Sequence, residues 1–121
     1  MANTFKTVTF AAEPASAGTA YKMYTCPSST TTVVLGLVLA NIHTTAVTAE
    51  VELVSDTANR GGANNVTNGT SMLVKDVSIP SGSSLEILSG SKVILETGDK
   101  IQIDCSVADK LSGTLSIMEI T

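Results

Sequence analysis

The chain has 121 residues, of which 43% are hydrophobic but only 3% aromatic, with no tryptophan and a formal net charge of -4. That length makes one domain, residues 1–121, with a core that must be built from Val, Ile, Leu and Ala. The acidic balance excludes phosphate-driven binding of nucleic acid, because Lys6, Lys22, Arg60, Lys75, Lys92, Lys100 and Lys110 stand singly and form no basic patch.

Residues 4–11 alternate Phe5, Thr7 and Thr9 against Lys6, Val8 and Phe10, which predicts a first strand at an edge or reaching toward a neighbour. Glu13-Pro14-Ala15-Ser16-Ala17-Gly18 is a turn by its Pro, Ser and Gly. Residues 19–26 predict a second strand, with Tyr21, Met23 and Thr25 on one face, ended by Pro27. The longest apolar block follows. Residues 33–42 are a Val, Leu and Ile run broken only by Gly36, Ala40 and Asn41. Such a run predicts a strand covered on both faces, by the domain's own second sheet or by a neighbouring subunit. After His43-Thr44-Thr45, residues 47–54 alternate Val47, Ala49, Val51 and Leu53 with Thr48, Glu50 and Glu52. Together the two segments predict a β-hairpin at the centre of a sheet, with His43, Thr44 and Thr45 as its turn.

Residues 55–70, SDTANRGGANNVTNGT, predict a long surface loop within the domain. It carries Arg60, Asn64 and Asn65, and with the 43–45 turn it is the expected place of partner contact. Strands are predicted at 72–79, 84–88, 92–96, 100–107 and 114–120, separated by Pro80-Ser81-Gly82, Ser89-Gly90-Ser91, Thr97-Gly98-Asp99 and a turn over 109–113. In the 100–107 strand Ile101, Ile103, Cys105 and Val107 should face in, and Lys100, Gln102, Asp104 and Ser106 out. Eight or nine short strands without a helical period predict an all-β, antiparallel β-sandwich of jelly-roll-like kind.

Residue chemistry points away from an enzyme. His43 is the single histidine, so neither a metal site nor a nucleophile with its base can be assembled around a second one. Ser81-Gly82-Ser83-Ser84 reads as a turn, not a nucleophile elbow. Glu50 and Glu52 share a strand face, where solvation explains them better than catalysis. Gly61-Gly62 lacks the lysine and helix of a phosphate cradle. The sequons at Asn65 and Asn68 read as chance matches in an Asn- and Thr-rich loop, and the scarcity of aromatics argues against a glycan-binding face. Cys26 and Cys105 read as two buried thiols more plainly than as a disulfide. No cofactor is expected. The N-terminal MANTFKTVTF has no apolar core of signal-peptide length, and 33–42 is too short to span a membrane, so the chain is expected to be made soluble in the cytoplasm.

One pattern runs through the chain. It comprises Tyr24-Thr25-Cys26-Pro27, then TTTVVLGLVLAN, IPSGSSLEIL, KVILETGDKIQI and finally GTLSIMEI. In residues 19–54 and 71–121 it resembles small β-rich accessory structural proteins of tailed-bacteriophage virions, especially those of marine bacteria and cyanobacteria. The 55–70 loop looks like an insertion. The resemblance implies no catalytic residues. It implies a virion protein, foremost a capsid decoration (cement) protein on the outer lattice, bound to the major capsid protein or other virion proteins. The alternatives are a neck, collar or tail component, or a surface module that contacts host glycans. It also implies a homo-oligomer, taken as a trimer.

Overall fold

The computed structural model describes residues 2–55, 69–88 and 92–121. Among these the chain forms nine strands and no helix: β1 (Asn3–Glu13), β2 (Tyr21–Thr25), β3 (Thr31–Asn41), β4 (Val47–Val54), β5 (Thr70–Ile79), β6 (Ser84–Ile87), β7 (Val93–Leu95), β8 (Lys100–Cys105) and β9 (Leu111–Ile120). They build two antiparallel sheets. One runs β1-β9-β3-β6, with β7 also on β3; the other runs β2-β8-β4-β5. The predicted all-β antiparallel sandwich is what forms. β1 is an edge strand, as its sequence suggested, and is paired along one side to β9 from Asn3↔Ile120 to Glu13↔Leu111.

The predicted hairpin is not formed. β3 lies in the five-stranded sheet and β4 in the four-stranded one, so residues 42–46 carry the chain across the sandwich. The two apolar segments are the middles of two sheets rather than neighbours in one. Asn41 is one reason. It is 4% exposed and its side chain reaches both layers: Nδ2 donates to Thr45 O at 3.0 Å and to Ile79 O at 2.9 Å, and Oδ1 accepts from His43 N at 2.7 Å. A buried amide so satisfied is costly to move, and it fixes the crossing.

Within a single chain β3 is covered on one face only. Thr32, Val34, Leu37, Leu39 and Asn41 point in, while Val33, Leu35 and Ala40 are half-buried and Val38 is exposed. The register slips between Val34 and Gly36. This bulge shifts the inward positions once, from even numbers to odd ones, so that apolar residues occupy both phases of the run. A strand with one covered face thereby imitates a doubly buried run.

Two smaller corrections follow. Asp104 keeps the expected outward phase, opposite Glu50, but is only 9% exposed, because the turn that contains Gly18 covers it; its Oδ1 accepts from Cys105 N at 2.8 Å and from Gly18 N at 3.2 Å. Leu111–Gly113 is strand, not turn, because Asp109 takes a left-handed φ of 58° and its N–H bonds to Pro14 O at 2.8 Å, completing the turn two residues before β9.

The core lies between the sheets. Leu39, Leu95, Ile101, Ile103, Leu111, Leu115 and Ile117 have no exposed surface. One side is closed by Phe10 of β1, whose ring meets Tyr21 of β2 edge-on, with centroids 5.2 Å apart. The same ring lies over Gly113 on β9, where any Cβ would collide with it. Cys26 and Cys105 are buried and are not joined to each other.

Candidate functional site

The candidate contact residues fall into three groups. Thr44 and Thr45 are exposed at the crossing between the sheets, and His43 beside them is half-buried. His43 is held from both sides of its peptide: its N–H by Asn41, and its carbonyl by the Ser81 hydroxyl at 2.9 Å. Arg60, Asn64 and Asn65 lie outside the described residues. The ends of their segment, Ser55 and Gly69, are joined by a 3.0 Å backbone hydrogen bond just beyond β4. The eight residues of β4 separate that point from the 43–45 turn, a distance of roughly 23 Å at about 3.3 Å per residue. Ser55 and Gly69 therefore lie at the end of the sandwich opposite the 43–45 turn.

The second group is internal and was not anticipated. Near the start of β3 a chain of polar side chains links both sheets. Lys6 Nζ lies 2.7 Å from Glu119 Oε1. The Tyr24 hydroxyl donates to Glu119 Oε2 at 2.6 Å and meets Thr32 Oγ1 at 2.8 Å. Thr32 Oγ1 lies 3.3 Å from Cys26 Sγ, which donates to Thr30 O at 3.2 Å. Thr32 has no exposed surface and Glu119 is 7% exposed. Hydrogen bonds from Lys6 first, and then from Tyr24, hold the Glu119 carboxyl below the usual carboxylate range. Burial, and secondarily the bond to Glu119, pushes the Tyr24 phenol well above its ordinary value. Burial also pushes the Cys26 thiol up, which keeps it protonated and a poor nucleophile. This arrangement braces one sheet against the other.

The third group is the outer face of the five-stranded sheet. The register aligns Phe5 with Met118, Met118 with Val33 and Val33 with Ile94. All four alternate with inward residues, so an apolar row crosses every strand at that end of the sheet. Phe5 is 72% exposed and Ile94 53%. Along the strands the face continues through Thr7 and Ser116, then Thr9, Thr114 and Val38. Glu86 on β6 is the one charge among the outward residues of these strands in the described residues. Sequence reasoning missed this face because its four apolar residues come from four separated segments. Only the register puts them side by side.

The four-stranded sheet shows the opposite face. Lys22, Gln102, Glu52 and Met72 form one row across it. Glu50 pairs with Lys75 at 2.8 Å, which raises the lysine pKa and accounts for one of the two carboxylates weighed as an acid–base pair. Among the described residues no group of three or more His, Cys, Asp or Glu side chains could hold a metal ion, and no helix is long and apolar enough to cross a membrane.

No family model matches the chain, and no curated protein matches it. Among solved structures, a subunit described as belonging to Bacillus endospore appendages, a family of disulfide-linked pili, is similar over 99% of this chain and 87% of its own, at 16% identity and a TM-score of 0.47. A likeness of that strength does not place the chain in a family.

Proposed function

We propose that the protein is a non-enzymatic structural subunit of a bacteriophage virion, in the first place a capsid decoration protein that stabilises the head by binding its outer lattice. The observation that carries the non-enzymatic part is the use to which the reactive side chains are put. Glu119, Tyr24, Thr32 and Cys26 brace the two sheets, and Asn41 fixes the crossing between them. Groups with this much structural work and with pKa values moved away from neutrality are poorly suited to proton transfer. The virion setting comes from the sequence resemblance. A sandwich with a large neutral face and a charged one opposite suits a part that must bind repeated neighbours and stay dispersed before assembly.

Stoichiometry in purified particles tests the reading. A copy number that scales with the capsid lattice supports decoration of the head, and one ring's worth of copies moves the protein to the neck, collar or tail. Absence from particles overturns the proposal. Deleting residues 56–68 addresses host-glycan contact: particles that still incorporate the protein but lose adsorption to cells would assign that loop to recognition.

A further inference from the structure

We infer that the outer face of the five-stranded sheet is a self-association surface, on which a second copy of this chain packs face to face. Three observations carry this. The first is the apolar row Phe5–Met118–Val33–Ile94, with Val38 further along β3; Phe5, Ile94 and Val38 are 72%, 53% and 38% exposed. Scattered exposed apolar residues are ordinary, but a row that crosses the whole width of a sheet is not.

The second is charge. The chain carries a formal charge of -4, so two copies repel unless they meet through a neutral patch. This face supplies one: Glu86, at its margin, is the one charge at the outward positions of its strands among the described residues, and the exposed Lys6, Lys92 and Glu96 stand at its edges. The outward face of the other sheet carries Lys22, Glu50, Glu52 and Lys75, charges that a second copy packed there would have to strip of water. The neutral face is therefore the one that suits a second copy.

The third is area. β6 and β7 lie on the same side of β3, so the sheet is four strands wide. At about 4.8 Å between strands and about 3.3 Å per residue over ten residues, the face measures about 600 Å². Two such faces bury about 1,200 Å², the lower end of what specific interfaces bury. Outward Ser and Thr at Thr7, Thr9, Thr114 and Ser116 have short side chains, which let two sheets approach to the ordinary packing distance of about 10 Å. A surface that pairs with its own copy is two-fold and closes as a dimer, in place of the trimer that the family resemblance implies.

The inference takes the chain to be an assembly subunit, but its test needs no particle. Sedimentation equilibrium of the purified full chain should show a reversible monomer–dimer equilibrium. Replacing two exposed side chains of the row, Phe5→Lys with Ile94→Lys, should weaken dimerisation by about a hundredfold or more. Met72→Lys, an equally large change at an exposed residue of the other sheet, should leave it within about twofold. Thr114→Arg, in the middle of the face on β9, is a second variant that keeps the inner packing intact and should also give monomers. Circular dichroism and thermal melting confirm that each variant is folded. A wild type that is monomeric at about 0.1 mM, a trimer, or a dimer that Met72→Lys disrupts as much as the row variants would overturn the inference. A dimer that forms through this face, with no copies found in particles, would leave this inference standing and remove the proposed function.

Discussion

The two outward faces of the sandwich are made by the same alternation but to different ends. On the four-stranded sheet the outward positions hold Lys22, Glu50, Glu52 and Lys75, and the face is solvated. On the five-stranded sheet they hold Thr, Ser and apolar residues, with one charge among the described residues. Both faces cover equally apolar interiors, so the difference is not a requirement of folding. A strand needs an inward apolar phase, and it places no demand on what the outward phase carries. The apolar outward row across four strands is the feature from which the self-association surface is inferred.

The largest effect is expected at the inner layer. Leu37 and Val38 are neighbours on β3, the one buried at 1% exposure and the other pointing out at 38%. Leu37→Ala should cost about 2–5 kcal/mol in chemical denaturation, because the surrounding core closes only partly over the lost volume. Val38→Ala should cost less than about 0.5 kcal/mol in the monomer. Near-equal losses would mean that the two faces of β3 are not distinguished as described.

Next in size is the polar chain that joins the sheets. Tyr24→Phe removes the hydroxyl that serves both Glu119 and Thr32. It should cost about 1–3 kcal/mol, since buried acceptors and donors are left unmatched. An unchanged unfolding midpoint would show that water takes the place of the hydroxyl.

Acid acts on the same spot. The Glu119 carboxyl is held below its unfolded value, so the stability it contributes is fully present above the ordinary glutamate range and is lost as pH falls through the lowered folded value. The wild type should melt at lower temperature as pH drops below about 4. Glu119→Gln should start less stable at neutral pH and show a shallower acid slope. Parallel slopes in the two proteins would mean that other carboxylates dominate acid unfolding.

The smallest effect is expected on the charged face. Lys75→Ala breaks an ion pair to Glu50 in which the lysine side chain is 62% exposed, and it should leave the unfolding midpoint nearly unchanged, with any difference fading at high salt.

Much of the fold could be read from the sequence, because strand and turn signals are local. Pro80-Ser81-Gly82 and Thr97-Gly98-Asp99 end strands where they were expected to, and the inward phase of β8 is correct at Ile101, Ile103 and Cys105. Partnership was not legible. Whether residues 42–46 return along one sheet or cross to the other depends on long-range contacts, among them the bond from Asn41 to Ile79, 38 residues away. The outward row was equally hidden, since its registers join residues 5, 33, 94 and 118. The bulge between Val34 and Gly36 misled in a specific way, converting a change of phase into what read as double burial.

The position of β9 has a consequence for how the molecule is made. β9 lies between β1 and β3, yet it follows every other strand in sequence. The four strands of the other sheet can find one another as soon as β8 has emerged. The five-stranded sheet exists only as separate pieces until β9 arrives, and the pairing of Asn3 with Ile120 closes a loop of nearly the full chain. Such long-range closure slows folding and leaves strand edges open meanwhile. The neutral face therefore cannot exist on a partly made chain, and a second copy has nothing to recognise until the first is finished.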